Sequence, residues 1–218
     1  MADNSGLLAI GGDLSPRRLL TAYKMGIFPW FNPNEPILWW SPNPRFVIMP
    51  AEIKISKSMR QILRNDRFQI TFDQDFLGVI QGCQEVPRPG QQGTWISEEI
   101  IDSYNQLFNM GFIHSVEVWH EGDLVGGLYG GVLGKCFFGE SMFAKMGNAS
   151  KAGFITLVKN LHEHKFELVD CQVYTQHLET LGARMIPRID FIKIVGAYSN
   201  EIPEPGEWRK KFKTRFSY

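Results

Sequence analysis

The sequence predicts an α+β fold in which a small N-terminal domain precedes a larger domain with a mixed, mostly antiparallel sheet. Helical and strand-like runs are mixed along the 218 residues without regular βαβ alternation. Three consecutive strand-like runs between residues 114 and 143 are separated by tight turns, which predicts an antiparallel meander. Residues 26–45 contain three tryptophans and five prolines, a composition typical of neither a helix nor a strand. We place the domains at residues 1–43 and 44–218.

The N-terminal domain is predicted to contain one helix followed by a rigid, irregular segment. Ser15 and Pro16 suit the N-cap and the first helical position. In the segment that follows, each proline fixes its own φ and favours an extended conformation at the preceding residue. Such a path can hold Trp30, Trp39 and Trp40 either as core residues or as stacking platforms for a flat ligand such as a nucleobase.

The larger domain is predicted from apolar spacings of three to four residues for helices and of two for strands. Ser97 suits an N-cap, and Gly111 suits the end of the helix that Ser97 begins. The predicted elements, in chain order, are an extended stretch at 45–49, a helix at 56–65, a strand at 68–72, a helix at 76–84, a loop at 87–93, a helix at 97–111, meander strands at 114–120, 124–132 and 135–143, a helix at 149–164 capped by Asn148, a strand at 167–174 and a closing α/β segment through Pro187.

The charges balance, with 23 basic and 23 acidic residues, so a polyanionic partner would have to bind a local basic patch. The helix at 56–65 and the residues after it offer one. Lys57, Arg60, Arg64 and Arg67 recur at spacings of three or four residues and therefore share a face. This face is either simply solvated or contacts the phosphates of an RNA backbone.

Cysteine spacing and hydropathy define further expectations. Cys83, Cys136 and Cys171 are widely separated and belong to no Cys-x-x-Cys pattern, so we expect reduced thiols and no metal. The N-terminus does not resemble a signal peptide, and no apolar run approaches the roughly 20 residues that span a bilayer. We therefore expect a cytoplasmic protein that does not interact with membranes.

Polar residues interrupt two apolar strands. Asp170 and Gln172 lie two residues apart in the predicted strand at 167–174, where alternation would place them on one face. Glu140 lies between aromatic pairs and next to Gly139, which suggests a bulge or a close approach by another backbone; the alternative is that Glu140 is an ordinary exposed strand residue. Such groups either form structural hydrogen bonds or function in a cleft. If they function, two carboxylates and an amide suit binding or deprotonation of an amine.

Five sequence blocks resemble the bacterial leucyl/phenylalanyl-tRNA–protein transferases and occur in the same order over nearly the whole chain. The blocks are residues 6–15, residues 26–31 together with 38–42, the triplet 93–95, residues 138–143 and residues 170–172. The resemblance implies transfer of leucine or phenylalanine from its aminoacyl-tRNA to the N-terminal arginine or lysine of a protein, which marks that protein for degradation by the N-end rule. It also implies that the larger domain resembles the acetyltransferase (GNAT) fold.

The same resemblance implies roles for individual residues. Trp30 and Trp95 match the aromatic contacts to the terminal adenosine of the tRNA, whereas Trp39 and Trp40 are expected in the core. Asp170 and Gln172 match the catalytic pair. Asp170 would polarise or orient Gln172, whose oxygen either accepts a hydrogen from the attacking α-amine or only positions that amine. Glu140 would supply negative charge for the acceptor.

The resemblance also implies the binding surfaces for the donor. The amino-acid pocket would be lined by Leu128, Phe137, Met142, Leu157 and Val169, and a methionine in its wall would let one pocket accept both donor shapes. Because a methylene is worth only about 1–3 kcal/mol in such a pocket, weak acceptance of methionine is expected. The basic face defined above matches the family's tRNA-contacting helix.

Two alternatives from other classes are a coenzyme A-dependent N-acetyltransferase and a non-catalytic RNA-binding module. The acetyltransferase would need a glycine-rich loop at a helix N-terminus, and residues 146–150 contain one glycine. The RNA-binding module gives no reason for Glu140, Asp170 and Gln172 to interrupt apolar strands. We expect a monomer that uses leucyl-tRNA and phenylalanyl-tRNA as donors, and no cofactor.

Overall fold

A computed structural model describes residues 5–32, 35–86, 95–198 and 205–218 of the chain. It confirms the α+β class with a mixed, mostly antiparallel sheet. The predicted loop at 87–93 lies outside the described residues.

The helices and strands alternate irregularly along the chain. The described helices are α1 (Pro16–Lys24), α2 (Lys57–Arg64), α3 (Phe76–Glu85), α4 (Glu98–Asn109), α5 (Ala149–Glu163), α6 (Gln176–Thr180), α7 (Arg188–Tyr198) and α8 (Glu207–Lys211). The described strands are β1 (Leu7–Ile10), β2 (Phe28–Pro29), β3 (Leu38–Trp40), β4 (Arg45–Ile48), β5 (Gln69–Phe72), β6 (Ile113–His120), β7 (Asp123–Leu133), β8 (Cys136–Ala144), β9 (Leu168–Gln172) and β10 (Arg184–Ile186).

Seven of these strands form the large sheet in the order β10-β4-β9-β8-β7-β6-β5. The predicted meander corresponds to β6, β7 and β8, which pair antiparallel in chain order. Strand β9 then pairs parallel to β8, after the crossover through α5. This parallel pair lies near the middle of the sheet, and the candidate site is built on it.

The tryptophan- and proline-rich segment is more regular than its composition suggests. Its short strands β2 and β3 pair with each other, and β1 pairs with the other edge of β3, which gives a three-stranded antiparallel sheet. The expectation of an irregular path was therefore wrong at these positions. The prolines shorten the strands because each one removes a backbone donor, but pairing through neighbouring residues remains possible.

Two apolar cores lie on opposite sides of the large sheet. One core joins the N-terminal residues Leu19, Tyr23 and Phe28 to residues of α3, α4 and α7. The other core packs α5 and α6 against the opposite face of the sheet. The N-terminal unit thus contributes to a core shared with the larger sheet, and the division at residues 43 and 44 stays a prediction.

Several helix starts were predicted from their capping residues. The hydroxyl oxygen of Ser97 accepts a hydrogen bond from the backbone N–H three residues later, as an N-cap does, whereas Ser15 occupies the N-cap position of α1 without a side-chain capping bond. Ser56, which was not among the predicted caps, forms the same capping bond at the start of α2. Asn148 occupies the N-cap position of α5 with a left-handed φ of 72°, but its side chain forms no capping hydrogen bond. None of the helices within the described ranges is long and apolar enough to cross a membrane.

Candidate active site

A cavity of about 410 Å³ opens where β8 and β9 stop pairing. The parallel register between the two strands ends at Phe138 and Asp170, although both strands continue beyond these residues. The cavity is lined by residues that follow on each strand, from Gly139 to Met142 and from Cys171 to Val173. The divergence of two parallel strands therefore gives the site its two walls.

A β-bulge places Glu140 in this cavity. Tyr129 of β7 pairs with Ser141 and Gly130 pairs with Gly139, so Glu140 is the extra residue on β8. The absence of a side chain at Gly139 matters here, because a Cβ atom at that position would lie 3.3 Å from the backbone oxygen of Asp170. The bulge predicted from the glycine next to Glu140 is confirmed.

Three side chains donate hydrogen bonds to the buried carboxylate of Glu140. The hydroxyl of Tyr23 donates to Oε1 at 2.9 Å, the hydroxyl of Tyr104 donates to Oε2 at 3.0 Å, and Nε2 of Gln172 donates to Oε1 at 3.2 Å. Burial raises the pKa of Glu140 to about 7, because the two tyrosine hydrogen bonds, which lower this pKa, offset only part of the desolvation. Glu140 can therefore gain or lose a proton near neutral pH.

The two tyrosines remain protonated donors in this cluster. Their hydroxyl oxygens lie 2.8 Å apart. Burial, followed by the nearby charge of Glu140, raises the pKa of both Tyr23 and Tyr104 well above the ordinary value. Tyr23 lies on α1 and Tyr104 on α4, so two helices distant in sequence supply the hydroxyl donors to one carboxylate.

Asp170 forms a buried ion pair with Arg45 of β4. Nε and Nη2 of Arg45 donate to the two carboxylate oxygens of Asp170 at 2.7 and 2.6 Å, and both side chains are almost completely buried. The guanidinium also lies 4.6 Å from the ring centroids of Phe28 and Phe191. Its Nη1 donates to the backbone oxygen of Gly26 at 3.3 Å. The charge of Asp170 is thus neutralised by a partner held in an aromatic slot.

Gln172 lies just beyond a second irregularity. Phe46 of β4 pairs with Gln172 and Val47 pairs with Asp170, which makes Cys171 an extra residue on β9. Gln172 adopts a φ of +62°, an uncommon conformation for a side-chain-bearing residue. Its backbone N–H donates to Oδ1 of Asp170 at 2.9 Å. Asp170 therefore holds the backbone of Gln172, whereas Glu140 holds its side-chain amide.

The predicted amino-acid pocket is partly assembled in this cavity. Leu128, Phe137, Met142 and Val169 line it, together with Phe154 of α5 and Leu178 of α6. Leu157 is also completely buried, but the structure places it in the core outside the cavity lining. The apolar wall is thus continuous with the polar cluster around Glu140 and Gln172.

Trp30 and Trp95 both line the cavity, but they differ in exposure. Trp30 is 43% exposed, and its backbone oxygen accepts a hydrogen bond from Nε1 of Trp40 at 2.6 Å. Trp95 is only 4% exposed. Of the two tryptophans expected in the core, Trp39 is buried and Trp40 is partly buried. Trp30 therefore offers more open ring surface to a ligand than Trp95 does.

The basic face lies on and just after α2, away from the cavity lining. Lys57, Arg60, Arg64 and Arg67 are all exposed. Arg64 donates through Nε to the backbone oxygen of Tyr218, and the Arg67 guanidinium lies 5.5 Å from the ring centroid of Phe68. Since α2 packs against α5, which supplies Phe154 to the cavity, the basic face and the cavity share one supporting helix.

The sequence did not single out Arg45, Tyr23 or Tyr104 as site residues. The only signal for Arg45 was a charged residue at the start of an otherwise apolar strand, and both tyrosines fit the apolar spacing of a predicted helix, which does not distinguish them from core residues. Within the described ranges, no group of three or more His, Cys, Asp or Glu side chains is placed to hold a metal ion. Cys171 also lines the cavity, but burial raises the pKa of its thiol, which therefore stays protonated and is a poor nucleophile.

Comparisons with known proteins show which family the chain resembles. A family model described as leucyl/phenylalanyl-tRNA protein transferase matches residues 47–196, and a model of the N-terminal domain of the same family matches residues 12–43. Among solved structures, a GCN5-related N-acetyltransferase-like protein from Streptococcus suis 89/1591 is similar with a TM-score of 0.36 and 14% identity, covering 78% of this chain and 63% of that chain.

Curated relatives are similar over nearly their whole length. A leucyl/phenylalanyl-tRNA–protein transferase from Syntrophus aciditrophicus (strain SB) is 55% identical, covering 95% of this chain and 87% of the relative. A protein of the same name from Azotobacter vinelandii (strain DJ / ATCC BAA-1303) is 52% identical, covering 94% of this chain and 89% of the relative. Another from Flavobacterium johnsoniae is 55% identical, covering 89% of this chain and 92% of the relative. The chain therefore belongs to the leucyl/phenylalanyl-tRNA–protein transferases, a family of aminoacyltransferase enzymes.

Proposed function

We propose that this protein transfers leucine or phenylalanine, and methionine weakly, from aminoacyl-tRNA to the N-terminal arginine or lysine of acceptor proteins. The modified N-terminus would then mark the acceptor for degradation by the N-end rule. One observation carries the proposal: a single cavity joins an apolar wall to a buried polar cluster that contains a carboxylate and a carboxamide. The apolar wall suits the donor side chain, and the polar cluster suits an amine.

The donor would bind with its terminal adenosine against the tryptophans and its amino-acid side chain in the apolar wall. Trp30 is the more exposed of the two tryptophans, so its ring is the more accessible surface for the base. The side chain of leucine or phenylalanine would then contact Leu128, Phe137, Met142 and Val169. Met142 can change rotamer to suit either shape. This placement would direct the ester carbonyl toward Gln172.

The acceptor would approach the cluster around Glu140. Arginine and lysine share a long cationic side chain, and a carboxylate is a sufficient selector for that charge. With a pKa of about 7, Glu140 can act as a charged partner for the acceptor or take up a proton that its amine loses. The nearby Tyr23 and Tyr104 hydroxyls would stabilise the ionised form.

Gln172 would position the attacking amine. Its Nε2 donates to Glu140, so the amide oxygen is the remaining acceptor for an N–H of the amine. A neutral amide is a poor base, and an aminoacyl ester is already activated toward aminolysis, so holding the deprotonated amine near the ester carbonyl can lower the barrier greatly. Asp170 would support this position through the backbone N–H of Gln172, and its own charge would remain paired with Arg45.

Transfer of radiolabelled leucine tests the proposal. One reaction contains leucyl-tRNA and a peptide that begins with arginine, and a second contains a matched peptide that begins with alanine. A third set of reactions also contains acetyl-coenzyme A. We expect label on the arginine peptide alone. Absence of label with folded protein would refute the transfer reaction, and acetylation of either peptide would instead support the coenzyme A-dependent alternative.

A further inference from the structure

A second cavity, of about 380 Å³, lies beside the basic face. Its apolar floor includes Ile62 and Leu63 of α2 and Ile70 of β5. Three aromatic side chains also line it, namely Phe68, Phe216 and Tyr218. Each of these aromatic residues is partly exposed, and the hydroxyl of Tyr218 is buried. We refer to this cavity as the aromatic cleft.

The aromatic cleft and the cavity that contains Glu140 and Gln172, which we call the reaction cavity, lie on opposite sides of α5. Phe154 lines the reaction cavity, whereas Thr156 lines the aromatic cleft. Residues two positions apart in an α-helix point about 200° away from each other, and a helix with its side chains is about 10–12 Å across. The two cavities are therefore separated by about the width of this helix.

The edge of the aromatic cleft carries positive charge. Nζ of Lys159 lies 4.5 Å from the ring centroids of both Phe216 and Tyr218, and the Arg67 guanidinium lies 5.5 Å from that of Phe68. The exposed Arg60 and Arg64 follow on α2. Cations interleaved with partly exposed rings suit a ligand that combines anionic groups with flat apolar faces.

The acidic groups nearby are already paired. Asp66 forms a salt bridge with Arg215, and Glu163 forms one with Lys213; the N–O distance is 2.7 Å in both pairs. The exposed cations of α2 therefore keep most of their positive potential for a partner. The rim also carries two exposed amides, Gln69 and Gln74, which can both donate and accept hydrogen bonds at the edge of a base.

We propose that the aromatic cleft binds an unpaired nucleotide of the donor tRNA, with the base on its aromatic wall and the phosphate toward the cations of α2. This inference rests on the proposed use of aminoacyl-tRNA. It extends the donor site from the terminal adenosine to a second point on the opposite side of α5. An acidic peptide would match the charges, but it has no flat group for the three rings.

The test compares a full-length donor with a minimal one. Leucyl-tRNA can occupy both the reaction cavity and the aromatic cleft, whereas leucyl-adenosine can occupy only the reaction cavity. For F216A, which removes one aromatic wall, we expect KM for leucyl-tRNA to rise about tenfold, in the range of one lost base–aromatic stack. KM for leucyl-adenosine should not change, and F216Y, which keeps the ring, should behave like the unmodified protein.

Two controls keep the result interpretable. F108A removes a partly buried phenylalanine that packs in the core on the other side of the sheet, and it should not discriminate between the two donors. If F216A does not fold, Q74E replaces an exposed rim amide with a carboxylate. Repulsion of the phosphate should then raise KM for leucyl-tRNA alone.

The outcomes separate this inference from the proposed function. Equal changes with both donors, or no change with either, would overturn the nucleotide site. A polyglutamate peptide and a trinucleotide are also tested as inhibitors. If only the peptide inhibits, and F216A abolishes that inhibition, the cleft binds a peptide and the nucleotide site is overturned. If the unmodified protein uses neither donor, the proposed transfer reaction itself fails, and with it the inference.

Discussion

Arg45 and Asp170 form a two-point hydrogen-bonded ion pair with N–O distances of 2.7 and 2.6 Å, buried beneath the reaction cavity. Removal of one partner would leave the other charged and buried, which costs about 3–5 kcal/mol of stability. Loss of activity in a single variant therefore cannot by itself assign a catalytic role, because the same substitution also destabilises the fold.

The first prediction separates these two effects. D170A should lower the free energy of unfolding by about 3–5 kcal/mol, because the guanidinium of Arg45 loses its partner. The double variant R45M/D170L should recover most of this stability, since neither charge remains. Transfer should stay low in both variants, because the backbone N–H of Gln172 has lost its acceptor. Denaturant unfolding and leucine transfer measure the two quantities, and full transfer by the double variant would contradict a positioning role for Asp170.

The second prediction concerns the pH dependence of stability. The pKa of Glu140 rises from 4.5 to about 7 on folding, so the folded state binds more protons than the unfolded state between these values. The stability that this group contributes is complete below pH 4.5 and is lost as pH rises through 7. At one pKa unit per 1.36 kcal/mol, the loss is at most about 3 kcal/mol. E140Q, which does not titrate, should therefore be more stable relative to the unmodified protein at pH 8 than at pH 5.

The third prediction concerns the pH dependence of transfer. If the ionised form of Glu140 binds the cationic acceptor, the ratio of the transfer rate of the unmodified protein to that of E140Q should rise between pH 6 and pH 8. The ratio cancels the titration of the acceptor's own α-amine. In Y104F the rise should move to higher pH. The hydrogen bond from the Tyr104 hydroxyl lowers the pKa of Glu140, so its loss raises that pKa. A ratio that does not change with pH would argue that Glu140 does not ionise during the reaction.

The fourth prediction distinguishes the two tryptophans. W30A should raise KM for leucyl-tRNA with little change in stability, because Trp30 is 43% exposed. W95A should raise KM and also destabilise the protein by about 3–5 kcal/mol, since it empties a buried position. Steady-state kinetics with leucyl-tRNA and thermal unfolding check both results. Unchanged KM in both variants would exclude the tryptophans from donor binding.

The fifth prediction concerns donor choice. M142L replaces a flexible side chain of the cavity wall with a branched one of similar volume, so it should reduce transfer of phenylalanine relative to leucine by about tenfold or less. L157M makes the reverse substitution at a buried residue outside the cavity lining, and it should leave this ratio unchanged. Competition between labelled leucyl-tRNA and phenylalanyl-tRNA measures the ratio. An equal shift in both variants would mean that the selectivity arises elsewhere.

Much of the fold could be predicted from local sequence patterns. The meander follows from alternating apolar residues and tight turns, and the cap at Ser97 follows from the hydrogen bonds that serine forms at helix starts. The three-stranded N-terminal sheet could not be predicted in this way. Its strands are two to four residues long, and β1 pairs with a strand about thirty residues later, so the stabilising contacts are non-local.

The site was predictable in its residue types and less so in its connections. Asp170, Gln172 and Glu140 were identified because polar groups interrupted apolar strands, and they do lie together. The glycine beside Glu140 indicated the first bulge, but nothing in the sequence predicted the second one at Cys171, because a bulge depends on the partner strand. Arg45 and Tyr23 were missed because each lies more than one hundred residues from its carboxylate partner.

The N-terminal unit contributes directly to the reaction cavity, and this has a practical consequence for dissection of the enzyme. A fragment that begins at residue 44 would lack Tyr23, the aromatic ring of Phe28 beside Arg45, and Trp30. Even if such a fragment folded, Glu140 would lose the hydrogen bond from Tyr23, and Arg45 would be exposed to water. Activity should therefore return only when residues 1–43 are added back as a separate peptide, which makes fragment complementation a direct assay of how the two parts assemble.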